Sequence, residues 1–164
     1  MEDGEYREIG QSVSSHEVPS STFFSGYVLA SLPLLAESLY HEALHKKLSN
    51  TIVAGDILRD GYDTHTSKRF HSYWNRDFSW NSNQWELDRA LYAYHVYVHL
   101  LVYYSLLSRA GAVEELAPIS DLSSAFVEQR CGEAHERALA LRGWLYDNSA
   151  DSMTPRCRAA PPAG

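Results

Sequence analysis

The chain has few of the residues that define several common protein classes. Only two cysteines occur in 164 residues, and neither Cys131 nor Cys157 belongs to a CxxC or similar metal-binding spacing. The sequence therefore predicts neither a disulfide framework nor a cysteine-based zinc site, and it favours a reducing compartment. The first ten residues also lack the basic-then-apolar order of a signal peptide, so we expect a cytoplasmic location.

Excess positive charge and strongly apolar runs are also scarce. The net charge is −7 at pH 7, which argues against a phosphate-backbone partner, so we expect no nucleic-acid binding. Residues 90–107 carry no formal charge and approach the length of a membrane-spanning helix, but they include two histidines and five tyrosines. Such side chains are costly or unusual at mid-bilayer depth. We therefore expect a helix buried in a globular core and no membrane partner.

Most of the chain shows the periodicity of helices. Three segments have the pattern of a main helix: residues 34–49 after a break at Pro33, residues 86–109 before Gly111, and residues 120 or 121 to about 146. The charged side chains of the third helix, Arg130 among them, are expected on its exposed face. The pattern predicts an all-α, single-domain helical bundle.

The segments around these helices set the domain organisation. Residues 60–83 are a long loop, rich in aromatic residues, between the two histidine-bearing helices, and this length and composition suggest a lid or a substrate-binding wall. Residues 1–20 are expected to form an irregular arm and residues 149–164 a flexible tail. Residues 21–148 then make up the helical metal-binding catalytic domain.

The most informative motif is His41-Glu42-Ala43-Leu44-His45 in the first main helix. Two histidines four residues apart project from one helical face, so both imidazoles can reach one divalent metal. Glu42 between them can act on a metal-bound water or ligand. The motif is typical of a metal centre with His41 and His45 as ligands and Glu42 as a catalytic group.

A second pair, His95 and His99, has the same spacing in an almost entirely apolar helix. An unpaired imidazole there would lose its water hydrogen bonds without compensation, so one interpretation is a third metal ligand. The other is that both are core histidines bonded to a tyrosine or a carbonyl. The remaining candidates are less favoured: His16 in the arm, His65 and His71 in the loop, and His135 on a charged surface.

A resemblance rests on these two helices together. Residues 38–48, followed by a Trp-x-Arg segment and then by residues 87–100, resemble the HExxH-motif peptide-modification proteins of ribosomal peptide natural-product pathways. The resemblance covers about residues 20–155 and includes a closing region similar to Glu136-Arg137-Ala138. At the position where the family usually has Pro-Trp-Arg, this chain has Tyr73-Trp74-Asn75-Arg76.

The resemblance implies a 2-oxoglutarate-dependent peptide β-hydroxylase with one Fe(II). His41, His45 and His99 are the implied iron ligands, while His95, Trp74 and Tyr97 are placed in the second shell or against the substrate. A carboxylate of 2-oxoglutarate requires a bidentate arginine, and the candidates are Arg76, Arg89 and Arg137. The substrate is a peptide or carrier-bound amino acid. Larger relatives carry a further N-terminal region, which a partner chain could supply here.

Two alternatives have different consequences. The first is a zinc metallohydrolase, in which Glu42 is the general base on zinc-bound water. Imidazole suits zinc and iron equally, so the histidines do not distinguish these two metals. The zincin peptidases also need a later ligand, and Glu86 is the one distant candidate. The second alternative is a non-catalytic helical accessory protein whose histidines are structural.

Overall fold

A computed structural model describes residues 12–14, 22–53, 55, 57–75, 83–109 and 111–154. The helices are α1 (Gly26–Leu29), α2 (Leu32–Val53), α3 (Leu87–Arg109), α4 (Ala112–Leu116) and α5 (Ser124–Asn148). The strands are β1 (Ser12–Ser14), β2 (Thr22–Phe24), β3 (Phe70–His71) and β4 (Gln84–Trp85). The strands form two short antiparallel pairs, β1 with β2 and β3 with β4. The predicted all-α class is confirmed.

The break near Pro33 is where α2 begins. Pro33 occupies the first turn, where its missing N–H removes no helical hydrogen bond. The Ser31 hydroxyl accepts a hydrogen bond from the Leu34 N–H at 3.5 Å and donates one to Asp121 at 2.6 Å. One uninterrupted helix of 22 residues then follows, longer at its C-terminal end than the predicted 34–49.

The core lies mainly where α3 packs along α5, and α2 also packs against α3. The first core cluster joins all three of these helices: Leu44, Val96, Leu100, Tyr104, Val113, Leu122, Val127 and Ala134. α5 begins at Ser124, and the Ser123 side chain caps it by accepting a hydrogen bond from the Phe126 N–H at 3.2 Å. The predicted start at Ser120 or Asp121 is therefore wrong, because both side chains bond to other segments.

The predicted loop is partly ordered structure. It contains two 3₁₀ turns, Thr64–Thr66 and Tyr73–Asn75, and strand β3, which pairs with β4. Phe70 on β3 contacts the rings of Trp74, Trp85 and Trp144, with centroids 5.6, 6.1 and 5.7 Å away. The loop is therefore attached to the ends of α3 and α5 through a second aromatic core.

The described parts of the expected arm and tail contain hydrogen-bonded structure. Residues 12–14 form β1 rather than continuing an irregular arm. Residues 149–154 turn back after α5, and the Arg59 and Thr154 amides donate to the Ser152 and Ile57 carbonyls at 3.0 and 2.8 Å. Residues 149–154 are therefore joined by hydrogen bonds to residues 57–59, and residues 155–164 lie outside the described residues.

Among the described residues, no single helix has both the length and the apolar composition of a membrane-spanning helix. α3 has them only when it is taken together with residues 112–119, and these two segments are bent by 81° relative to each other. The charge-free part of α3 instead supplies Val96, Leu100 and Tyr104 to the first core cluster.

Gly111 joins α3 to α4 in the left-handed region, at φ 65° and ψ 11°. We expect Gly111→Ala to destabilise the fold by about 1–2 kcal/mol, because a Cβ is disfavoured in that conformation. The control is Gly143→Ala inside α5, where an added Cβ meets no atom within 4 Å. That change should stabilise the helix by about 0.5–1 kcal/mol. Urea unfolding measures both, and a destabilising Gly143→Ala would contradict the comparison.

Candidate metal centre

The two histidines of the HExxH motif face each other on α2. Their four-residue spacing places them on one side of the helix, and both side chains are half-buried. The two Nε2 atoms lie 2.9 Å apart, with ring centroids at 4.6 Å. This separation suits a hydrogen bond between one protonated and one bare nitrogen. It is also close to the roughly 3.3 Å that separates two nitrogen ligands of a tetrahedral ion.

The surroundings keep both rings neutral. Burial lowers the pKa of His41, against the opposing charges of Glu42 and Glu37. Burial and then the neighbouring His41 lower the pKa of His45 to about 4. At pH 7 both rings are therefore uncharged, so a metal ion does not have to displace a proton from a cationic imidazole. This favours coordination.

The second pair lies on α3, with ring centroids of His95 and His99 4.2 Å apart. The Nδ1 of His99 lies 2.8 Å from the backbone carbonyl of His95. A carbonyl only accepts, so Nδ1 carries the proton and Nε2 keeps its lone pair, as in many metal-binding histidines. The Nε2 of His95 is buried and has no hydrogen-bond partner among the described residues.

The two pairs lie on facing segments of antiparallel helices. The ring of Tyr40 is 5.6 Å from that of Tyr103, and the ring of His45 is 5.7 Å from that of Tyr92. Residues 40–45 of α2 therefore lie beside residues 92–103 of α3, which include both later histidines. A charge on His95 lowers the pKa of His45 across this interface.

The donors do not form a complete cage. Across the part of the chain that the structure describes, no three or more His, Cys, Asp or Glu side chains are grouped so that they could hold a metal ion. The chemistry of His41 and His45 thus fits two adjacent ligand positions of a divalent ion. The third position would be filled from α3, and His99 and His95 both remain candidates.

Other predicted site residues are on a different side of α3. Tyr97 is two positions from both His95 and His99, which places it about 200° away around the helix at about 100° per residue. Its ring contacts Trp74 at 5.9 Å, and Arg137 stacks over both rings at 5.4 and 5.7 Å. The expectation that Trp74 and Tyr97 adjoin the histidines is therefore not met.

The arginines predicted to bind 2-oxoglutarate also have partners other than the histidines. The Arg89 guanidinium stacks on Trp85 at 5.1 Å, and Arg137 pairs with Glu133 at 3.4 Å besides its two rings. These contacts do not place the guanidinium group of Arg89 or Arg137 beside the histidine pairs. Arg76 lies outside the described residues.

The remaining candidates for a ligand lie elsewhere. His65, His71 and His135 are exposed, and His71 hydrogen-bonds to Gln84 at 2.8 Å. Glu86 forms an ion pair with Arg69 at 2.8 Å, which gives that carboxylate a structural partner. His16 lies outside the described residues.

A buried ion pair next to the motif was not predicted. Glu37 and Arg130 have only 5% and 19% of their side chains exposed, and Arg130 Nε donates to Glu37 Oε2 at 2.9 Å. The expectation that Arg130 marks the exposed face of its helix is therefore wrong. The signal in the sequence was the position of Glu37, four residues before His41 and on the same face.

The metal-free protein should lose stability in mild acid. The pKa of His45 is about 4 in the fold against an ordinary 6.5, so the unfolded chain binds more protons between these values. The neutral His45 ring contributes fully to the free energy of unfolding above pH 6.5. That contribution, about 3 kcal/mol in total, is lost as the pH falls towards 4. Urea unfolding of chelator-treated protein at several pH values measures the slope. His45→Gln should flatten it and the exposed His135→Gln should not. Equal slopes in wild type and His45→Gln would contradict the prediction.

Comparisons with protein-family models, with curated proteins and with solved structures found no match for this chain.

Proposed function

We propose that the protein binds a divalent metal through His41 and His45 and acts as a non-haem Fe(II), 2-oxoglutarate-dependent oxygenase. It would hydroxylate an aliphatic β carbon of an amino-acid residue in a peptide or carrier-bound substrate. The observation that carries the metal site is the pair of neutral, half-buried imidazoles whose Nε2 atoms face each other at 2.9 Å. The choice of oxygenase chemistry comes from the resemblance to the HExxH peptide-modification proteins.

The third ligand is proposed to be His99. Its Nδ1–H is held by the His95 carbonyl, which fixes the tautomer and leaves Nε2 available. His95 is the alternative, because its Nε2 is buried and has no partner among the described residues. An iron site of this class needs three protein ligands and open positions for the co-substrate and oxygen. His41 and His45 would supply two of these ligands, and a histidine of α3 would supply the third.

The protein's own contribution would be to orient ligands and exclude water. With iron and 2-oxoglutarate bound, oxygen adds one atom to the substrate carbon and one to succinate, with loss of carbon dioxide. Glu42, whose charge reaches both motif histidines, would orient a ligand or hydrogen-bond a bound water. Tyr92 beside His45 would help to keep solvent out.

The partner for the distal carboxylate of 2-oxoglutarate is proposed from the sequence. Arg130 is the guanidinium whose charge reaches His41, but Glu37 and Glu133 already use its three nitrogens. Arg89 and Arg137 stack on aromatic rings. Arg76 therefore remains the candidate predicted from sequence. The cytoplasmic location and the lack of a nucleic-acid partner are likewise proposed from the sequence.

A zinc hydrolase is the second candidate, favoured by the position of Glu42 beside both motif histidines. Glu42→Gln separates the two chemistries. In a hydrolase it removes the general base and should lower turnover by about 10²–10⁴-fold. In the oxygenase we expect iron binding to persist and succinate formation to fall less than about tenfold, since Glu42 would only orient a ligand. Glu128→Gln on the exposed part of α5 is the control.

The direct test of the oxygenase is anaerobic metal analysis followed by titration with Fe(II) and 2-oxoglutarate. A weak visible charge-transfer band that needs both additions would support a chelated iron site. Tightly bound zinc without such a band would contradict the oxygenase and leave the hydrolase. Protein that binds neither metal would support the non-catalytic accessory role.

A further inference from the structure

A largely buried ion pair lies at the position one helical turn before His41. Glu37 projects from the same face of α2, and Arg130 of α5 donates from Nε and Nη2 to its two carboxylate oxygens. The Tyr104 hydroxyl of α3 donates to the same carboxylate. The three long helices therefore meet at one side chain of the helix that carries the HExxH motif.

Stability alone is a weak explanation for this arrangement. Removing two charges from water costs several kcal/mol per ion, and well-packed apolar side chains of similar volume often give an equally or more stable protein. Here burial disfavours the Arg130 cation, but the hydrogen bond and charge of Glu37 outweigh it and raise the pKa of Arg130. The Arg130 guanidinium therefore stays ionised, with fixed geometry, in a place where apolar residues would pack.

Fixed geometry at Glu37 affects the neighbouring histidine. A bidentate arginine–carboxylate pair tolerates little rotation of either side chain, so it sets the rotation of α2 about its own axis. Positions 37 and 41 are one turn apart, so the same rotation sets the direction of the His41 ring.

Arg130 is itself held on its other side. Its Nη1 donates to Glu133 at 3.0 Å, and Glu133 also pairs with Arg137 at 3.4 Å. Arg137 then stacks on Trp74 of the long loop. Residues 130, 133 and 137 share one face of α5, so a row of alternating charges runs from the loop to Glu37.

We propose that Glu37 and Arg130 are positioning residues that hold the His41 imidazole in its metal-binding direction towards His45. This rests on the proposed metal site and adds residues that neither the HExxH motif nor its resemblance identifies. The two residues do not touch the metal. They act through the rotation of α2.

The test is Co(II) binding to the full chain, followed by visible absorption and by competition with a chelator. In the double variant Glu37→Gln with Arg130→Met, no uncompensated charge is left and the fold should persist. We expect its Kd for Co(II) to rise by about 10–100-fold, the usual effect of losing outer-shell support. Arg130→Lys with Glu37 intact should recover part of the loss. Arg142→Met on the exposed side of α5 should bind as wild type.

The outcomes separate positioning from a merely structural role. A structural pair would lower the melting temperature while leaving the Co(II) Kd unchanged well below it, and that result would overturn the proposal. If the double variant does not fold, Tyr104→Phe removes one hydrogen bond from Glu37 and should weaken Co(II) binding by about 3- to 10-fold. A wild-type Kd in Tyr104→Phe would then overturn it. Wild-type protein that binds no Co(II) would overturn the metal site and the positioning proposal together.

Discussion

Arg130→Met should destabilise the protein by about 3–5 kcal/mol, because it leaves the Glu37 carboxylate charged and buried without its cation. Only 5% of the Glu37 side chain is exposed, so water cannot replace the two lost hydrogen bonds. The Tyr104 hydroxyl would remain as one donor to the carboxylate. Urea unfolding at neutral pH measures the loss.

The double variant Glu37→Gln with Arg130→Met provides the comparison. It removes both charges and should recover at least half of the stability lost in Arg130→Met, since the desolvation of an unpaired ion disappears. Arg142→Met, at an exposed position of the same helix, should change stability by less than about 0.5 kcal/mol. A double variant as unstable as Arg130→Met alone would show that the unpaired charge is not the cause.

His45→Ala should abolish stoichiometric metal binding, with a loss in affinity above about 100-fold. Removing an outer-shell partner of a metal ligand typically costs 10–100-fold, and a ligand itself should cost more. His45 also occupies the position between His41 and Tyr92, so its loss leaves the remaining imidazole without the 2.9 Å partner. Isothermal titration with Co(II) or Zn(II) measures the change.

His135→Ala is the control for that experiment, because His135 is an exposed histidine on α5. It should bind metal as wild type does, which excludes nonspecific capture by surface imidazoles. His99→Ala and His95→Ala then identify the third ligand: the variant with the larger loss is the ligand. Unchanged metal affinity in His45→Ala would contradict the site.

Local sequence was sufficient for several elements. The spacing of apolar residues around the HExxH motif predicted α2, and the apolar run after Leu87 predicted α3. An amphipathic or buried helix repeats its apolar side chains every three to four residues. Pro33 marked the break between α1 and α2. The predictions failed where a side chain had a distant partner: Asp121 binds Ser31, and the segment after α5 turns back to residues 57–59.

The sequence by itself determined that His41 and His45 share one helical face and that His95 and His99 share another, since four-residue spacing fixes this in any α-helix. Only the tertiary structure decided that the helix segments carrying these pairs lie side by side, because the antiparallel packing of α2 on α3 depends on contacts far apart in the chain. It also stacked Arg137 on Tyr97, and it joined Glu37 to Arg130 across 93 residues. A charge pair of this kind cannot be read from composition, because each residue alone has the pattern of an exposed helix position.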